Sequence, residues 1–157
     1  MFEAKFKING HEYIVEVEWK GEKTPLWGIE NDEGRHNIIR ISNKKNLSYT
    51  IDYWAPGIFP NAENFDGVLD ILDCIHDDLI SVCSLDFTDE EKAFEDFAAE
   101  FGYNSDSRKA YKVFEALIEE FRGLSVIFGE KDLKTFTDIE RDIERDNLAE
   151  KLCVEEV

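Results

Sequence analysis

The stretch FEAKFKINGHEYIVEVEW, residues 2–19, decides the fold of the N-terminal half. Apolar residues occupy every second position on each side of Asn9-Gly10, and charged residues fill most positions between them. Because successive side chains of a strand point to opposite faces, this alternation predicts two strands that each bury one face. Asn-Gly is a favoured pair in the two-residue turn of a hairpin. The stretch therefore predicts an antiparallel β-hairpin.

Three more short strands are predicted downstream, separated by the turn-rich segments NDEG and SNKKN: Leu26–Asn31, His36–Ser42 and Leu47–Trp54. Five short strands in succession favour an antiparallel meander. Its aromatic residues are expected to pack between sheet and helices; they are Trp19, Trp27, Tyr49, Tyr53 and Trp54. The segment APGIFPNAEN, residues 55–64, contains two prolines and is predicted to be an irregular connector.

After this connector the hydrophobic period becomes helical. Four helices are predicted, over about residues 64–83, 88–101, 105–128 and 133–152. Asn64 is a candidate N-cap, and TDEE, residues 88–91, has the form of a capping box. Gly102 and Gly129 are candidate helix ends. The segment 133–152 has few apolar residues, so it is predicted to be a surface helix packed on the body or on a partner.

These patterns predict an α+β fold, in which an N-terminal antiparallel sheet of about five strands packs against three to four C-terminal helices. The 157 residues fit a single domain. We expect it to contain a β-rich half (1–60), an acidic helical half (61–129) and an appended C-terminal helix within 130–157. No apolar run is long enough to span a bilayer, and residues 1–10 lack the apolar segment of a signal peptide.

The negative charge is concentrated in one part of the chain. The 36 acidic and 18 basic residues give a net charge of −18, yet residues 1–60 hold nine acids and eight bases. Residues 61–106 hold fourteen acids, and Lys92 is their one basic residue. A field of this sign makes nucleic acid a poor partner and a basic protein a good one. Cys74, Cys83 and Cys153 show no metal-like spacing and are expected to be core or semi-buried thiols.

Four aspartates in this acidic part of the chain are spaced at helical intervals. Asp66, Asp70, Asp73 and Asp77 are spaced by four, three and four residues, which places them on one stripe of a helix. At a rise of about 1.5 Å per residue, the stripe carries one charge roughly every 5.5 Å. A DNA strand carries one phosphate about every 3.4 Å, so the two lines of charge are comparable in scale. The alternative interpretation is a solvated acidic face without a partner.

A metal site is the other chemistry that these residues suggest. Asp73-x-x-His76, with Asp70 and Asp77 nearby, has half of the donors of a carboxylate and imidazole site built on helices. The next predicted helix supplies glutamates but no histidine, so His76 is expected to be a partly exposed polar residue. The sequence contains no G-x-S-x-G, P-loop, G-x-G-x-x-G or H-E-x-x-H motif. We therefore expect no catalytic residues, no metal and no cofactor.

Two segments carry a resemblance to a known family. GVLDILDCIHDD, residues 67–78, precedes EFGYNSDSRKA, residues 100–110, and the chain resembles in these places an uncharacterised family of small acidic proteins of bacteriophages and mobile elements. The resemblance covers about residues 65–129. It implies an anti-defence role, since acidic DNA mimics that inhibit restriction or CRISPR nucleases occur in that setting. It also implies the cytoplasm of a bacterial host cell.

The sequence thus favours a non-enzymatic phage-type inhibitor that blocks the nucleic-acid groove of a basic defence nuclease or effector complex. It is expected to bind no nucleic acid directly and no membrane. The expected partner-binding residues are Asp66, Asp70, Asp73, Asp77, Asp78, Glu90, Glu91, Glu95 and Asp96. One alternative is a phage accessory or assembly protein that forms a homodimer or larger oligomer through its C-terminal helix. The other is a metal-dependent hydrolase around His76.

Overall fold

The computed structural model describes residues 2–25, 33–56 and 64–157, and within them the side chains of residues 2–18, 38–51 and 64–157. The fold is α+β, as the sequence predicts. The strands are β1 (Phe2–Ile8), β2 (His11–Pro25), β3 (Glu33–Asn43), β4 (Ser48–Pro56) and β5 (Glu155–Glu156). The helices are α1 (Phe65–Cys83), α2 (Glu90–Phe101), α3 (Arg108–Asp138) and α4 (Arg145–Lys151).

The strands form one antiparallel sheet in the order β4-β3-β2-β1-β5. β1 and β2 make the predicted hairpin, in which Ile8 pairs with His11 and both turn residues have positive φ, 52° at Asn9 and 78° at Gly10. The predicted strand Leu26–Asn31 and most of the connector 55–64 lie outside the described residues. The fifth strand of the sheet is β5, which no sequence pattern predicted.

The core lies between the sheet and the helices. Alternate residues of the hairpin are buried, as the period of two predicts: Ala4, Phe6, Ile8, Tyr13, Val15 and Val17. They pack against the apolar rows of α1 and α3 in one cluster. A second cluster joins α2 to the first half of α3, where Phe94, Phe97 and Phe114 pack together. Within the described residues, no helix combines the length and hydrophobicity needed to span a bilayer.

Helix caps follow the sequence with two corrections. The Asn64 side chain accepts a hydrogen bond from Gly67 N at 2.7 Å, and Gly102 ends α2 with φ 71°. However, the N-cap of α2 is Asp89 and not Thr88, whose hydroxyl donates to Asp86 instead. The third helix starts later than predicted, because Ser107 is its N-cap.

The predicted single helix 133–152 is wrong. Gly129 breaks the helical backbone with φ 77° and ψ 166°, but helix resumes at once and α3 continues to Asp138. Residues 139–144 are not helical, and α4 occupies only Arg145–Lys151. We call residues 130–157 the C-terminal segment. Its side chains Phe136, Leu148 and Leu152 are at most 2% exposed and belong to the main core cluster, so it is not a surface addition.

The three cysteines form no disulfide and have different surroundings. Cys74 is partly buried, whereas Cys83 and Cys153 are exposed. The expectation of core or semi-buried thiols is therefore correct for Cys74 and wrong for the other two.

Candidate functional site

Four of the nine predicted partner-binding residues share one stripe of α1. Asp66, Asp70, Asp73 and Asp77 lie within a continuous helix, so their spacing places them on the same side. The side chains of Asp66 and Asp77 are 80% and 55% exposed, whereas Asp70 is 30% exposed. The stripe is therefore open at its two ends and partly covered between them.

Arg145 of the C-terminal segment provides part of this cover. Its Nη1 lies 2.9 Å from Asp70 Oδ1, and its Nη2 lies 3.9 Å from Asp66 Oδ1. The same guanidinium is 3.3 Å from Asp146 Oδ1. Asp70 is thus an intramolecular anchor for α4 as well as a member of the stripe.

The other end of the stripe keeps an excess of negative charge. Burial is the largest cause that raises the pKa of Asp73, and the charge of Asp70 adds to it. Burial likewise raises the pKa of Asp77, and the carboxylates of Asp73 and Asp142 add to it against the opposing Arg141. The pKa values of Asp73 and Asp77 thus remain raised by burial and by neighbouring carboxylates, although Arg145 and Arg141 act against this. We define the acidic face as Asp66, Asp70, Asp73, Asp77, Asp142 and Asp146, with Arg141 and Arg145 as its cations.

Four further predicted residues form an exposed group on α2: Glu90, Glu91, Glu95 and Asp96. Glu90 and Glu91 lie in the first turn, where the helix dipole stabilises negative charge. Arg141 Nη1 lies 3.2 Å from Oε1 of Glu100 near the other end of α2. The positive charge of Arg141 also lowers the pKa of Asp77, against the effect of burial. Arg141 therefore links the acidic face to the end of α2.

Asp78, the remaining predicted residue, is not on the acidic face. It is partly buried and hydrogen-bonded to Glu120 of α3. Burial, and then the charge of Asp78, raise the pKa of Glu120 well above its ordinary value. Burial also raises the pKa of Asp78, although the hydrogen bond from Glu120 opposes this. Glu120 is thus the protonated donor of the pair, and Asp78 is unsuited to imitate a phosphate on the surface.

The pair lines a cavity of about 580 Å³ formed by β4, α1, α2 and α3. Its apolar lining includes Phe97, Phe101, Tyr103 and Leu117, and its acids are Asp78, Glu119 and Glu120. Among the described residues that line it, none is lysine, arginine or histidine. Oε1 of Glu120 is buried and has no hydrogen-bond partner.

A second buried carboxylate joins the C-terminal segment to the hairpin. Asp132 is 3% exposed and accepts hydrogen bonds from Tyr13 Oη, from Asn9 Nδ2 at 3.0 Å and from His11 Nδ1 at 2.8 Å. Burial by itself raises the pKa of Asp132, but the three hydrogen bonds outweigh burial and leave that pKa below its usual value. Asp132 therefore holds the second half of α3 against the turn between β1 and β2.

His76 is buried, so the expectation of a partly exposed residue is wrong. It is 0% exposed, its ring lies edge-on to Phe136, and its Nε2 is 3.2 Å from Ile139 O. Burial lowers the pKa of His76, so the ring is neutral and Nε2 donates to the carbonyl. The described residues contain no group of three or more His, Cys, Asp or Glu side chains placed to hold a metal ion.

The roles of Glu120 and Asp132 were not predicted from the sequence, although both leave a signal there. Each of these acids, and also Asp78, occupies a position in a helix row whose other members are apolar. Asp78 falls in the row Ile71, Ile75, Asp78, Val82; Glu120 falls in Val113, Leu117, Glu120, Leu124; Asp132 falls in Phe128, Asp132, Phe136. An acid at a core position indicates a buried partner, because an unpaired charge there is costly.

Comparison with known proteins adds no relative. No protein-family model, curated protein or solved structure matches this chain.

Proposed function

We propose that this protein acts by binding and not by catalysis, and that its acidic face and the exposed acids of α2 occupy the nucleic-acid groove of a basic protein. The observation that carries the proposal is the composition of the acidic face, in which six carboxylates surround two guanidinium groups. In keeping with the resemblance of residues 65–129, the proposed partner is a host defence nuclease or effector complex, and the protein is a phage-type inhibitor.

The internal ion pairs support this interpretation more than they weaken it. Arg145 holds Asp70 in place, while Asp66, Asp77 and Asp146 retain side chains that are more than half exposed. A rigid array of charges loses little conformational entropy when it binds. The C-terminal segment thus preorganises the acidic face and contributes Asp142 and Asp146 to it.

Oligomer formation through the C-terminal segment has less support. The apolar residues that would form such an interface include Phe136, Leu148 and Leu152, and these side chains are buried within the same chain. These three side chains are therefore not available to an oligomer interface.

The test reverses charges at exposed members of the acidic face and leaves Asp70 intact, because Asp70 anchors Arg145. We expect the triple variant Asp66→Lys, Asp77→Lys and Asp142→Lys to lose capture of basic nucleic-acid-binding proteins from a bacterial lysate. Wild-type capture should be competed by duplex DNA and should weaken steeply with salt, since exposed charges are screened within about 10 Å at 0.1 M.

The matched control changes the net charge equally at exposed acids elsewhere, with Glu3→Lys, Glu130→Lys and Glu156→Lys. It should capture the same proteins as the wild type. The proposal is wrong if both triple variants behave alike, or if DNA fails to displace the captured proteins. Circular dichroism of each variant establishes that it is folded.

A further inference from the structure

We propose that the cavity between β4, α1, α2 and α3 binds a small organic cation, an amine or guanidine joined to an aromatic or aliphatic body. This inference is independent of the acidic face and of the function proposed for it. It rests on the charge, the unsatisfied polar atom, the aromatic lining and the size of the cavity.

The charge of the lining selects a cation. Three carboxyl groups border the cavity, and its described lining supplies no basic side chain to balance them. Glu120 is hydrogen-bonded to Asp78. Apart from this pairing of the two acids, its buried Oε1 has no hydrogen-bond partner, and the residue is 6% exposed. Such an atom loses its hydration and regains nothing in exchange, so a donor placed in the cavity would satisfy it.

Aromatic rings select an organic cation over an inorganic one. Phe97 lies 5.0 Å from Phe101 and 5.8 Å from Tyr103, measured between ring centroids. Aromatic faces attract ammonium and guanidinium groups, and Phe101 already holds the guanidinium of Arg141 at 5.8 Å from its centroid. A bare metal ion would leave these apolar surfaces uncovered.

The size of the cavity indicates the body of the ligand. A volume of about 580 Å³ lies inside the range of roughly 300–1,000 Å³ that is usual for small-molecule sites. A lysine side chain inserted by a protein partner would fill only a small part of it. The occupant is therefore a molecule whose apolar body covers the rings and whose cationic group reaches Asp78 and Glu120.

The experiment is calorimetric titration of the full chain with 2-phenylethylamine and with 2-phenylethylguanidine. The neutral 2-phenylethanol and the anionic 3-phenylpropanoate serve as matched ligands. At least one of the two cations should bind with a Kd below about 1 mM and at least about tenfold more tightly than either matched ligand. Absence of binding by both cations, or equal binding of the alcohol or the anion, overturns the proposal without requiring any variant.

A lysine residue blocked at both its amino and carboxyl groups tests the alternative source of the same chemistry. If it binds as tightly as the two cations, the cavity accepts a protein side chain and the proposal is wrong.

Variants locate the site. Asp78→Asn preserves side-chain shape and removes the charge of the pair, so it should weaken cation binding at least about tenfold, whereas Glu120→Gln keeps a neutral donor to Asp78 and should weaken binding less. Glu115→Gln is the control, because Glu115 is exposed on α3 outside this lining; it should bind as the wild type does. Binding that survives the double change Asp78→Asn and Glu120→Gln in a folded protein contradicts the assignment.

Discussion

Gly123 is the residue at which α3 makes room for the sheet. A Cβ added there would collide with the ring of Tyr49 on β4, while Tyr49 Oη donates to Glu119 O at 3.3 Å. We expect Gly123→Ala to destabilise the protein by about 1–3 kcal/mol, since overpacking outweighs the higher helix propensity of alanine. Urea unfolding measures this cost. The clash is not the cause if the cost is unchanged in a Tyr49→Ala background.

Because His76 is buried, we expect the free energy of unfolding to decrease as the pH becomes acidic. Its pKa is lowered in the fold because burial penalises the charged ring, so the unfolded chain takes up a proton first as the pH falls below about 6.5. The contribution is present above that pH and is lost below it. His76→Phe keeps a ring beside Phe136 and should remove this pH-dependent contribution to stability. We expect the wild type to lose more of its free energy of unfolding than the variant does between pH 7.5 and 5.5. Equal losses in urea unfolding would contradict this account.

Titration of Glu120 should have the opposite effect and lower the free energy of unfolding as the pH rises. Its pKa is raised by burial and then by Asp78, so the folded state retains a proton that the unfolded chain releases. This contribution is present at low pH and declines as the pH rises above 4.5, the ordinary value for the group. Glu120→Gln cannot titrate, so its stability relative to the wild type should increase from pH 5 to pH 8. Urea unfolding at the two pH values measures this difference, and a constant difference would show that Glu120 does not hold the proton.

Among the elements, α3 is the one whose two halves serve different parts of the molecule. The half before Gly129 packs on α1 and α2, and the half after it is fastened to the β1–β2 turn by Asp132. We expect Asp132→Asn to lower the free energy of unfolding by about 2 kcal/mol, because three hydrogen bonds to a buried charge are weakened.

Asp132→Asn should also change how the free energy of unfolding depends on pH in the acidic range. The pKa of Asp132 is lowered from 3.8 in the fold, so its contribution is complete above that pH and is lost as the pH falls below it. Below pH 3.8 the difference between wild type and Asp132→Asn should shrink. Denaturation followed by circular dichroism from pH 5 to pH 2 measures it, and a difference that grows instead would contradict the role of the charge.

The elements show what a sequence pattern can and cannot predict. Alternation in the hairpin and the row of α1 are local signals, and both are confirmed in the structure, the alternation over residues 2–18. Gly129 is correctly predicted to interrupt a helix, but helix resumes directly after it and ends at Asp138, well short of the predicted residue 152, and Phe136 in this stretch packs in the main core cluster. β5 has two residues, too few for a period, and exists because β1 offers an unpaired edge.

The candidate site likewise contains some features that the sequence predicts and others that it does not. Helical spacing predicts that Asp66, Asp70, Asp73 and Asp77 share a stripe, and they do. The pairing of Arg145 with Asp70 joins residues 75 positions apart, and that of Asp78 with Glu120 depends on how α1 meets α3. Such contacts are set by tertiary packing and are not visible in charge patterns.

At the scale of the whole molecule, the C-terminal segment completes the core. A chain truncated after Gly129 loses Phe136, Leu148 and Leu152 from the main cluster and the hydrogen bonds to Asp132. We expect it to lack a cooperative thermal transition, because each large core side chain removed costs about 2–5 kcal/mol. Deletion of residues 155–157 alone is the control and should leave a cooperative transition at a lower temperature. A truncated chain that melts cooperatively would show that residues 2–129 fold without the segment.

β1 is held on its outer edge by residues far along the chain, since Lys7 N donates to Leu152 O and Val157 N donates to Glu3 O. During translation at about 5–20 residues per second, the interval between synthesis of Glu3 and Val157 is on the order of 10 s. Throughout that interval the first strand leaves the ribosome with one side unprotected, which is the condition under which nascent chains recruit chaperones or associate with one another.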